Sequence, residues 1–93
     1  MLRITVVESS RIAVTLRAEG QITGPWVDEL RIACRLHSFS DDVRLSLELG
    51  DISFADEKGI ALLRELRKSG IGFIHTTPFL AEQLKEGASY LEF

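Results

Sequence analysis

The stretch LSLELGDISFADEKGIALLRELRKSGIGFIHTTP, residues 45–78, changes its hydrophobic period partway along, and that change decides the fold. Leu45, Leu47 and Leu49 alternate with Ser46 and Glu48, the period of a strand with one dry and one wet face. From Ile60 the period lengthens: Ile60, Leu63 and Leu66, with Leu62, recur at helical spacing. Asp56 stands where it can cap that helix, which the spacing predicts over residues 57–69 and which Gly70 closes. Residues 72–75 read as a short strand, and residues 50–55 as a turn region between strand and helix. Successive strands joined by a helix imply a parallel pair with a right-handed crossover.

Upstream, Leu2, Ile4 and Val6 alternate with Arg3 and Thr5. After Glu8-Ser9-Ser10, Ile12, Val14 and Leu16 alternate with Arg11, Ala13, Thr15 and Arg17, so a hairpin is expected with those six apolar side chains buried. Gly24-Pro25 suits a helix start, because proline there lacks only a donor that would be unpaired anyway. Asp28 and Glu29 fall in the first turn, and Val27, Leu30, Ala33, Cys34 and His37 form the inward stripe before a polar loop, residues 38–42. Downstream, Thr77-Pro78 opens a third helix that Gly87 is expected to close, with residues 90–93 as a tail or short final strand. The order β-β-α-β-α-β-α predicts an α/β domain with a mixed sheet of four to five strands. Strands covered on both faces would be continuously apolar. These alternate, so helices are expected mainly on one face. Arg3, Thr5, Thr15, Arg17, Arg44, Ser46 and Glu48 should then meet solvent or a partner.

Length bounds the rest. Ninety-three residues make one domain, residues 1–93, with an ordinary globular composition of 45% hydrophobic and 27% charged residues. A net charge of −3 gives no general attraction to nucleic acid or an anionic membrane surface. One cysteine, Cys34, forms no intrachain disulfide, and the opening MLRITVVESS has no apolar run of signal-peptide length, so the expected location is cytoplasmic without membrane insertion.

Catalytic chemistry finds little to use. His37 and His75 lack ligand-spaced companions, Ser9, Ser10 and Ser53 lack an evident base, and Cys34 reads as a small buried hydrophobe. Neither an enzyme nor a cofactor or metal is expected. Lys58 beside a helix start suggests phosphate binding, yet Asp56 and Glu57 precede it and no glycine-rich cradle is present. A small-ligand or nucleotide site at this loop is the rival reading. Gly59 inside a helix costs about 1 kcal/mol relative to alanine. Close approach of another backbone, from this domain or from a partner, would account for it.

Residues 45–66 also resemble the signature of the STAS family, the sulphate-transporter and anti-sigma-factor-antagonist domains. The matching positions are the strand Leu45 to Leu49, Asp51, Ser53, Phe54-Ala55, Asp56, Glu57-Lys58, Gly59 and the helix Ile60 to Leu66. Gly20-Gln-Ile-Thr-Gly24 before a helix is similar to the family's second-strand exit. The resemblance implies a non-catalytic regulatory or scaffolding module whose partner is an anti-sigma kinase-like protein or a transport-complex component, and a homodimer is compatible with it. It places docking on the loop and helix through Phe54, Asp56, Glu57, Lys58, Gly59, Arg64, Arg67 and Lys68. In classical members a phosphorylated serine precedes the glycine. Here that position is Lys58, which has no hydroxyl, so no phosphorylation is expected over residues 56–59; a shifted acceptor would fall on Ser53.

Overall fold

The computed structural model describes the backbone of residues 1–38 and 42–91, and the side chains of residues 1–38 and 42–84. Four strands and three helices follow one another: β1 (Leu2–Ser9), β2 (Ala13–Ile22), α1 (Pro25–His37), β3 (Arg44–Ala55), α2 (Glu57–Lys68), β4 (Gly72–Ile74) and α3 (Pro78–Leu91). The sheet order is β1-β2-β3-β4, with β1 antiparallel to β2 and the other neighbours parallel. This is the expected mixed sheet, with four strands.

One hydrophobic core lies between the sheet and the helices. Val14, Leu16 and Ala18 of β2 and Leu45, Leu47 and Leu49 of β3 meet Val27, Leu30 and Cys34 of α1, Ile60, Leu62, Leu63 and Leu66 of α2, and Leu80 and Leu84 of α3. The wet face is as the alternation predicts in kind, graded in degree. Arg3, Thr5 and Arg44 are exposed, whereas Arg17, Ser46 and Glu48 are half-buried. Arg17 donates to Glu48 Oε1 at 3.3 Å, and His75 Nδ1 lies 3.5 Å from the same oxygen.

Four expectations are corrected. Residues 50–55 are not a turn but the second half of β3, paired with the end of β2 from Glu19↔Asp51 to Ile22↔Ala55. Two register shifts in this pair, at Arg17/Glu19 and Gly20/Gln21, break the strict alternation that marks a strand in sequence. Ile12 is 71% exposed because it sits in the β1–β2 turn, where Ser10 Oγ accepts its N–H at 3.3 Å. Val6 is 45% exposed in the middle of a terminal strand, whose outer side is open and whose bulge follows between Val6 and Glu8. Gly87 does not close α3, which continues to Leu91 and takes in Tyr90; a glycine inside a helix costs only about 1 kcal/mol against alanine. Residues 92 and 93 lie outside the described residues.

Candidate functional site

β3 passes into α2 with only Asp56 between them. Asp56 is extended and caps the helix: its Oδ1 accepts the Gly59 N–H at 2.8 Å. Its Oδ2 accepts the Gly24 N–H at 3.2 Å, which ties the start of α2 to the start of α1. The Asp56 N–H in turn donates to the Ile22 carbonyl at 3.2 Å. The hydrogen bonds from Gly59 and Gly24, helped by the Lys58 charge, hold the Asp56 carboxyl below the usual carboxylate range.

The two glycines are required by this junction. Gly24 has φ +53, in the left-handed region that favours glycine. A Cβ on Gly59 would meet the Ile22 carbonyl oxygen, and would also stand 3.1 Å from Ile22 Cγ2 and 3.3 Å from Ala55 Cβ. Of the two sources of close approach left open by the sequence, the backbone of the domain itself supplies this one. α2 can sit this near β2 only without a side chain at position 59.

Around the junction the candidate residues divide between two flanks of α2. Glu57 and Lys58 are exposed in its first turn, and Phe54, 45% exposed, precedes the cap. On the α3 side Phe54, Asp56, Glu57, Ile60, Arg64 and Gln83 line an open groove of about 680 Å³. On the α1 side Lys58 lines a second groove of about 530 Å³ with Gly24, Asp28, Arg31 and Glu65. Arg31 there is held by Asp28 at 2.6 Å and lies 3.9 Å from Glu65. Arg67 and Lys68 are exposed in the last turn of α2, about 15 Å along the axis from Lys58. The four basic side chains therefore do not form one patch.

Arg64 differs from its neighbours. Its guanidinium donates to the Gln83 carbonyl at 2.8 Å, fastening α3 to α2, and it is only partly exposed. Its Nε and the Gln83 side-chain Oε1 are both buried without a hydrogen-bond partner among the described residues. The sequence reading missed Gln83, and the ties through Ile22 and Gly24. Only the helix-interior Gly59 and the Gly24-Pro25 pair hinted at them.

Polar chemistry elsewhere is structural. Ser53 Oγ donates to the Gly20 carbonyl at 3.1 Å, Ser69 Oγ to Leu66 at 2.8 Å, and Ser38 Oγ to Cys34 at 2.6 Å. Burial pushes the Cys34 thiol up to about 11. Among the described residues no group of three or more His, Cys, Asp or Glu side chains could hold a metal ion, and no helix is long and apolar enough to cross a membrane.

No family model matches the chain, and no curated protein matches it by sequence. Solved structures do match. One is the anti-sigma factor antagonist SpoIIAA in its unphosphorylated form, with a TM-score of 0.64 and 20% identity over 89% of this chain and 82% of that one. At that identity the likeness speaks for the fold alone, and the fold is the STAS fold expected from residues 45–66.

Proposed function

We propose that this domain is a non-catalytic regulatory module of the anti-sigma-factor-antagonist type, which captures a partner protein on the surface around the β3–α2 junction. The observation that carries this reading is Phe54, an aromatic side chain 45% exposed at the lip of the groove shared with Arg64 and Gln83. An accessible aromatic beside arginine and a charged rim has the composition of an interface hot spot. The likeness to SpoIIAA supports the class of activity.

Phe54, Glu57 and Lys58 are the contact residues, with Arg64 forming one wall. Asp56 and Gly59 act indirectly by setting the junction. Arg67 and Lys68 add charge at the far end of the helix, where they influence association rate more than affinity. A partner kinase would find no hydroxyl at position 58, so capture is not released by phosphorylation there. Ser53 is the nearest candidate for a shifted switch.

The test is quantitative capture from the native host with the tagged chain, run beside Phe54→Ala and Lys58→Glu forms of equal melting temperature. A kinase-type anti-sigma factor enriched by the parent and lost with either variant supports the proposal. Equal capture by all three, or a transport-complex component as the specific partner, overturns it.

A further inference from the structure

β1 is a terminal strand, and among the described residues no strand pairs with its outer edge. It is eight residues long, whereas the other terminal strand, β4, has three. Natural sheets blunt such edges with short strands, charged side chains, proline or β-bulges. β1, LRITVVES, has no proline, and its bulge falls after Val6, so residues 2–6 form a regular edge whose one charge is Arg3. Ile4 and Val6 continue the core row of Leu2 on the helix side, yet Ile4 is only half-buried and Val6 is 45% exposed. Arg3 and Glu8 lie on the open face, opposite Glu19 and Thr15 of β2.

We propose that the outer edge of β1 pairs antiparallel with β1 of a second copy of this chain, about a twofold axis through Thr5. In that register Ile4 faces Val6 of the copy, so the apolar row runs on across the join. The bulge after Val6 brings Glu8 onto the open face with Arg3, so Arg3 lies opposite the Val7–Glu8 step of the copy, and the symmetry makes this opposite-charge contact twice. A parallel pairing would instead set Arg3 beside Arg3 and Glu8 beside Glu8. Moving the antiparallel register one step puts Ile4 against Glu8 in one direction, and brings Arg3 diagonal to its own copy in the other.

The helix layer fits the same arrangement. α1 packs on both β1 and β2. With strands about 4.8 Å apart, a helix riding between β1 and β2 comes to about 10 Å from its copy, the spacing of packed helices.

Sedimentation of the full chain across a concentration series should show a monomer–dimer equilibrium. On oxidation Thr5→Cys should cross-link into a dimer. Arg3→Cys should not, because the two copies of that position lie about 14 Å apart, beyond disulfide reach. Arg3→Glu and Glu8→Arg should each weaken the dimer roughly tenfold, and the double variant should regain it. Arg3→Glu also faces Glu19 within its own chain, so melting temperatures are measured in parallel; the double variant leaves that clash in place, and its recovery reports only the contact between copies. A monomer at every concentration overturns the proposal, as does a dimer in which Thr5→Cys and Arg3→Cys cross-link alike or charge reversal changes nothing.

Discussion

The Asp56 carboxylate accepts the Gly24 N–H at 3.2 Å, joining the first residues of two helices that stand 32 positions apart in the chain. The same carboxylate holds Gly59 at 2.8 Å, so one side chain fixes both helix starts beside the candidate surface.

Loss of that double acceptor has a defined pH signature. The folded carboxyl lies below its ordinary value of 3.8, so the ionised form is the stabilising one. Its contribution is complete above that value and is lost as pH falls through the lower folded pKa. Asp56→Asn keeps one acceptor and offers an N–H where Gly24 already donates. At pH 7 its melting temperature should fall by a few degrees, because the bond from Gly24 is lost while the cap on Gly59 is kept. The difference from the parent should shrink as pH falls below 3.8 and through the lower folded pKa. A gap independent of pH would show that the ionised carboxylate is not what holds the junction.

Gly59→Ala should be costly although alanine is the better helix former. The added methyl meets the Ile22 carbonyl, and either α2 or the end of β2 must give way. Overpacking of this kind costs about 1–3 kcal/mol. Urea unfolding should show a lower midpoint with an unchanged slope, whereas an intrinsic-propensity effect alone would raise stability.

Lys58 and Arg64 should separate cleanly. Lys58→Glu, on an exposed side chain, should change stability by about 0.5 kcal/mol or less. Arg64→Ala removes the bond to the Gln83 carbonyl and should cost about 1 kcal/mol. Hydrogen exchange should quicken in α3 for Arg64→Ala and stay unchanged for Lys58→Glu. Equal exchange in both would mean that Arg64 does not fasten α3.

Cys34 should be inert in the folded protein. It is 2% exposed, and its thiol is pushed up to about 11, so little thiolate exists at pH 8. Reaction with a disulfide reagent should be slow in buffer and fast in denaturant. Prompt labelling of the native chain would contradict the buried placement on α1.

Much of this fold was readable because local pattern and tertiary role agree. Leu45, Leu47 and Leu49 alternate and are buried; Ile60, Leu63 and Leu66 recur helically and are buried. Reading failed where a neighbour decides the outcome. Asp51 to Ala55 carry no clean alternation because the register shifts lie in their pairing with β2, a long-range property. Val6 has the pattern of a core residue but stands beside a bulge on a terminal strand, and Ile12 lies in a turn. Arg64 looked like one of several outward cations until α3 brought the Gln83 carbonyl to it. The candidate surface was legible as a stretch of chain, while its division into two grooves depended on where α1 and α3 pack.

The continuation of β3 to Ala55 has a kinetic consequence. Phe54 belongs to a hydrogen-bonded ladder, and Lys58 to a capped first turn, so neither stands on a loop that must be ordered when a partner arrives. Loss of conformational freedom on docking is then confined to side chains, roughly 0.5–1.5 kcal/mol for each one immobilised. A partner docking here, as proposed, would meet a nearly rigid surface, so Phe54→Ala should act through residence time, while reversing the charge of Lys58, Arg67 or Lys68 should also change the on-rate.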